Sequence, residues 1–427
     1  MRRLRHVAAL IAVAAVALAG CTSGRGGQGG QAGGSESATT RLSFVMWGDG
    51  GEATKSYQEV ITRFEAQHPD IKINFETFNT NDYDTVLKTR LAGGAGPDIY
   101  GFDQKNLIDF INAGYTTDLS KESWFSSLSA DTRKEATRNA KNGEANYVPI
   151  SQSGNGIVYN ADLFEKAGIT EEPTTYDELV AAAKKLKDAG ITPFAMSAQD
   201  NWWPQFIVYY AVAENVFEKD PDFNEKLISG AATFSGNEGW RRSLEIYREL
   251  VPYYMDNPLG TNQTAAKSAF MQGKAAMFPA AWILPDVREA KLNAGYMNFP
   301  TTNATGTKAM WGSYLVSLGV NPNNKKTKEA NRFLSFFFTD DVYLKFLGGV
   351  KAFPVKEGLD VSSIDPLYPD MQKSWEGRTF VPLLLPSYPA IQETLLVELQ
   401  NLTGDRSDVT KVLNRLDETM KDIRAGE

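Results

Sequence analysis

The chain has 427 residues, 44 Lys and Arg against 52 Asp and Glu, a formal charge of −8, 8 Trp, 2 His and 1 Cys. That length suits two or three domains with ample buried cores, and the aromatic content excludes a wholly disordered chain. A single Cys excludes an intrachain disulfide, Cys and His are too few for a zinc site, and the acidic balance is unsuited to a nucleic-acid backbone, which needs a basic face.

Arg2, Arg3 and Arg5 precede an apolar run, Val7 to Ala19, that is too short to span a bilayer and reads as a secretory signal over residues 1–20. The run ends in Leu18-Ala19-Gly20-Cys21, which resembles the lipobox of bacterial lipoproteins. The resemblance implies a Cys21 that becomes the new N-terminus and carries a lipid. Loss of the three Arg with the signal takes the charge from −8 to −11. Residues 21–40 are rich in Gly, Ser, Gln and Thr with no large apolar side chain, so they read as a flexible, lipid-anchored tether. Gly24, Gly26 and Gly29 satisfy a dinucleotide-binding spacing, but no strand precedes it and no helix follows, so the match is rejected.

From residue 41 strands alternate with helices. Leu42 to Trp47 is β-prone and is broken at Gly48-Asp49-Gly50-Gly51. Tyr57, Val60, Ile61 and Phe64 fall on one face of a helix that must stop before Pro69. Ile71 to Phe75 alternates with period two, and Asp98 to Phe102 supplies a third strand, which is βαβ logic. Tyr147 to Asn160 opens a second stretch. A helix follows with Thr175 and Glu178 as capping box, Leu179, Ala183 and Leu186 as apolar stripe and Gly190 as its stop. Further stripes lie at Ala330, Phe333, Leu334 and Phe337, and at Val409, Val412, Leu413, Leu416, Met420 and Ile423. The fold class is therefore α/β.

Several strings then resemble one family. Phe64 to Lys72, Leu91 to Ile99, Gly156 to Asn160 with Leu163 to Ile169, Pro173 to Leu179, and Phe270 to Met277 with Trp282 are similar, in order, to segments of bacterial extracellular solute-binding proteins of the maltose-binding-like, carbohydrate-uptake kind. Tyr176 stands where the family usually has Trp. The resemblance implies a two-lobed periplasmic-binding-protein-like fold with discontinuous lobes and a hinged central cleft. Lobe one would be 41–150 plus 305–349, and lobe two 151–304 plus 350–427. Crossings would fall near Pro149 to Ser153, Pro300, and Gly349 to Pro354.

A pyranose has apolar C–H faces and a rim of hydroxyls, so a sugar site stacks aromatics on the faces and aims carboxylates or amides at the rim. Trp47 ends the first strand, where ligands of open α/β sheets lie, and Asp49 follows it. Asp200 with Trp202 and Trp203 resembles a sugar-contacting segment of the family, and Trp282 and Trp311, the latter with Gly312 and Ser313, stand where its cleft aromatics are expected. Asp103 should follow its strand into the cleft, and Gln152 and Ser153 lie on a crossover. Trp124 and Trp240 read as core and Trp375 stays open. The expectation is a monomeric, lipid-anchored protein outside the cell membrane that captures a sugar or oligosaccharide by lobe closure and delivers it to an ABC-transporter permease. No cofactor, metal or nucleic acid is expected, and the chain has no Walker motif of its own. The competing class is an exported glycosidase using a carboxylate pair; His68, the one His left after processing, leaves little for a His-dependent triad.

Overall fold

A computed structural model of the chain describes residues 39–48, 51–102, 107–137, 143–152, 156–312, 314–323, 325–350, 352–381 and 388–426. Its strands in chain order are β1 (Thr40–Trp47), β2 (Ile71–Phe78), β3 (Ile99–Phe102), β4 (Val148–Gln152), β5 (Ile157–Asn160), β6 (Thr192–Phe194), β7 (Ala275–Phe278), β8 (Ala294–Met297), β9 (Ala309–Trp311), β10 (Tyr314–Val320) and β11 (Thr379–Val381).

Alternation along β1 sends Leu42, Phe44 and Met46 into the main core and Val45 into a second cluster with Tyr83, Leu87, Tyr100 and Phe102. Both faces of this sheet are therefore covered, as parallel pairing requires. β1 runs parallel to β2 and β3, and the helix Glu52–Gln67 between β1 and β2 buries Tyr57, Val60, Ile61 and Phe64, the stripe its spacing predicts.

The sheet order β2-β1-β3-β10-β4 places β10 antiparallel between β3 and β4. The chain thus leaves this sheet at Gln152 and re-enters it at Tyr314. In between it builds a second sheet, ordered β6-β7-β5-β8. β9 joins neither sheet; it pairs in parallel with β11. The expected return to the first body at residue 305 is therefore later in sheet terms, because β9 finds its hydrogen-bond partners in β11.

Thr175 and Glu178 form the predicted capping box, with the Thr175 hydroxyl accepting from the Glu178 N–H and the Glu178 carboxylate accepting from the Thr175 N–H at 3.0 Å. The helix Tyr176–Asp188 buries Leu179, Ala183 and Leu186, and Gly190 follows at φ 74°, a left-handed stop. The helices Thr327–Phe337 and Val409–Gly426 bury their predicted stripes, with Ile423 packed at the margin. Two of the expected crossings meet: Gln152 N–H donates to Phe353 O at 3.0 Å and Phe353 N–H to Gln152 O at 2.9 Å, an isolated antiparallel bridge. Residues 39 to 427 form one compact unit. No helix among the described residues is long and apolar enough to cross a membrane.

Candidate functional site

The segment Asp200 to Pro204 turns sharply into the helix Gln205–Val212 and projects aromatic rings on its way. Trp282 is the hub, with ring centroids 5.9 Å from Trp202, 6.1 Å from Trp203 and 5.6 Å from Phe206. Phe206 reaches on to Trp311 at 4.9 Å, and Tyr209 and Tyr210 flank that indole at 5.2 and 5.3 Å. Four predicted residues, Trp202, Trp203, Trp282 and Trp311, are thus brought into one continuous cluster.

Burial divides their roles. Trp202 and Trp282 are 38% and 36% exposed, so this end of the cluster presents two adjacent indoles to solvent. Trp203 is fully buried against Phe278, so the expectation that it touches ligand is corrected: it is the floor under Trp282. Trp311 is also buried, edge-on to the tyrosines.

A hydrogen-bond network holds the backbone at Trp202. The Gln205 amide donates to Trp202 O at 2.6 Å, while its oxygen accepts from Tyr209 OH at 2.6 Å and from Gln392 at 3.0 Å. Asp200 is not a free rim carboxylate. Its Oδ2 accepts from Gln263 N–H at 2.6 Å, satisfying a donor at the start of the helix Gln263–Met271.

Trp47 stands apart in the five-stranded sheet, half-buried and edge-on to Tyr83 at 5.3 Å. Gln152 is buried on the crossover bridge. Gly312 follows Trp311 directly, and a Cβ there would overlap the Phe380 ring. Asp49, Asp103, Ser153, Ser313 and Cys21 lie outside the described residues. Trp124 stacks on Phe338 at 5.1 Å and Trp240 is buried against Phe234, both as core, while Trp375 donates from Nε1 to Tyr296 OH at 3.0 Å.

A cavity of about 710 Å³ lies elsewhere, between β8, the loop 298–307 and the helix Tyr368–Trp375, with Tyr159, Glu172, Asn298, Asp370, Lys373 and Arg378 in its wall. None of the predicted ligand residues lines it. Burial, reinforced by the Glu172 carboxylate that accepts from its hydroxyl at 2.6 Å, pushes the Tyr159 phenol well up, and burial does the same to Tyr209 and Tyr210. All three act as neutral hydroxyls at ordinary pH.

The family model for bacterial extracellular solute-binding proteins matches residues 47–343. The chain belongs to that family. The multiple sugar-binding protein of Streptococcus mutans is 25% identical over 362 residues, covering 81% of this chain and 83% of that protein. Among solved structures, a family 1 extracellular solute-binding protein from Bifidobacterium longum subsp. infantis superposes with a TM-score of 0.77 at 19% identity, covering 90% of this chain and 100% of the other. RafE in complex with raffinose superposes with a TM-score of 0.72 at 23% identity, with coverage of 90% and 100%. The fold of this solute-binding protein is accordingly the two-lobed α/β arrangement.

In this solute-binding protein the ring cluster offers an apolar, π-faced wall set on a rigid floor, suited to C–H faces of a flat polar molecule. Phe206, Tyr209 and Gln205 were not legible as site residues. The stretch Gln205–Val212 is apolar nearly all round, so no stripe singles out the face that meets Trp282 and Trp311.

Proposed function

We propose that this protein captures a sugar or oligosaccharide in a cleft between its lobes and hands it, chemically unchanged, to the permease of an ABC importer. The observation that carries this is the pair of exposed indoles, Trp202 and Trp282, held over Trp203 and Phe206. The sugar-binding relative and the raffinose-bound neighbour support the ligand class. Lobe one is taken as 41–150 plus the stretch from β10 to about residue 349, and lobe two as the rest of the folded chain. Trp47, Asp49, Asp103, Gln152, Ser153, Gly312 and Ser313 are assigned to the cleft between them. The mature protein is held outside the cell membrane by a lipid on Cys21 after signal removal, as a monomer; fatty-acid labelling that persists in Cys21→Ser would refute the anchor.

Calorimetry of Trp282→Ala against raffinose and a panel of oligosaccharides tests the site. Loss of one stacking anchor should weaken binding by about tenfold or more, near 1.4 kcal/mol. Wild-type affinity in both Trp282→Ala and Trp202→Ala would defeat the stacking argument. New reducing ends in the same incubations would instead reveal a glycosidase.

A further inference from the structure

The helix Gln205–Val212 that carries Phe206 and Tyr209 does not end where its α-geometry ends. It runs on into a π-helical turn, Ala213–Phe217, a rare element that recurs at functional places. This turn grips the crossover segment that leads to Trp311. Glu214 Oε2 accepts from Thr301 N–H at 2.9 Å and from Thr301 Oγ1 at 2.6 Å, and its Oε1 accepts from Thr307 Oγ1 at 3.1 Å and from Arg378 Nη1 at 3.3 Å. Asn215 Nδ2 donates to Thr301 O at 3.3 Å. Glu218 Oε2 accepts from two successive backbone amides, Lys308 at 2.8 Å and Ala309 at 2.6 Å. The latter residue opens β9, whose partner β11 follows Arg378 directly. Glu214 is itself buried, and its two bonds to Thr301 are buried with it.

We infer that Glu214 and Glu218 are positioning residues that fasten the crossover 301–311 to the body bearing Trp202, Phe206 and Trp282, so that Trp311 travels with those rings when the lobes move. The pivot of this crossing then lies C-terminal to the fastened stretch and not near Pro300. Three facts converge on this. The grip on the crossover is charge-assisted and made largely to backbone, Trp311 packs on Phe206, Tyr209 and Tyr210, and Gly312 is pressed against Phe380 of β11. Gly239 completes the seat, because a Cβ there would overlap the Asn215 carbonyl and drive the helix Glu238–Leu250 off the π-turn. The inference rests on lobe closure as the mode of capture.

Hydrogen exchange in the ligand-free chain tests the fastening without reference to any sugar. Glu218→Ala should speed exchange at Lys308 and Ala309 by about tenfold or more, the loss expected for charge-assisted bonds, and Glu218→Gln, which keeps an acceptor, should restore part of the protection. Unchanged exchange in Glu218→Ala overturns the assignment. Travel is read by spin-label distances in the Cys21→Ser chain, whose sequence then holds no other thiol. With saturating raffinose, Thr305→Cys paired with Lys184→Cys should keep its distance, whereas Thr305→Cys paired with Thr85→Cys should change. The reverse pattern overturns the inference. Failure of raffinose to bind would count against the sugar reading alone, and the exchange result would still judge the fastening.

Discussion

Gly312 shows how a residue assigned to a ligand can be required by packing. Its missing side chain lets the Phe380 ring lie against the backbone, and any Cβ would collide with that ring. Gly312→Ala should therefore destabilise the fold by roughly 1–3 kcal/mol, the range for overpacking, with the urea midpoint lowered and the slope unchanged. A midpoint equal to wild type would mean that Phe380 swings aside at no cost. Trp203 and Trp282 make the complementary contrast. Trp203 is fully buried on Phe278, so Trp203→Ala opens a cavity and should cost about 3–5 kcal/mol. Trp282 is 36% exposed, so its truncation should cost far less stability while weakening ligand binding about tenfold or more. Thermal melts and calorimetry on the two variants separate floor from surface; equal losses of stability would erase the distinction.

At the scale of elements, the local rules held where the chain carries their information in neighbouring residues. The capping box at Thr175 needs only the spacing to Glu178, and the buried stripes of Glu52–Gln67 and Thr327–Phe337 need only a period of 3.6. What local pattern cannot hold is partner choice. Nothing in Ala309–Trp311 announces pairing with Thr379–Val381, and nothing in Tyr314–Val320 announces insertion between β3 and β4, because those ladders join residues far apart in sequence. The aromatic wall was half legible for the same reason: Trp202, Trp203, Trp282 and Trp311 stand out by type, but their common neighbour Phe206 is hidden in an apolar run. The cap also sets a pH response. Hydrogen bonds from Thr174, then from Thr175, hold the Glu178 carboxyl below the ordinary glutamate value. A depressed value in the folded state favours folding above the unfolded value, and this contribution is lost as pH falls through the folded one. Thr175→Ala should lower stability by about 1 kcal/mol at neutral pH through loss of its cap hydroxyl. Glu178→Gln, which removes the charge but keeps an acceptor, should be less stable than wild type at neutral pH, and that gap should close as pH falls through the depressed folded value; a gap that stays constant down to acid pH would show that the carboxylate plays no part in the cap.

Across the whole molecule, capture by closure requires two walls that the ligand touches together in one arrangement only. The described rings fall on unequal sides: Trp202, Trp282 and Phe206 belong with the second sheet, whereas Trp47 ends β1 in the first, packed on Tyr83. A ligand held by the first group alone has no reason to favour a closed form, since a ligand shifts an equilibrium only by its differential affinity for the two states. The opposing wall must supply that difference, and the proposed function gives that part to Trp47. Small-angle scattering of the wild type should therefore show a smaller radius of gyration at saturating sugar. In Trp47→Ala the sugar should still bind the Trp202 and Trp282 wall, more weakly, but compaction at saturation should be reduced. Trp282→Ala should do the opposite, needing more sugar to saturate while the closed fraction of the loaded protein falls less. Full compaction of Trp47→Ala at saturation would place the differential contact elsewhere on the first lobe and leave Trp47 as a rim residue of the sheet.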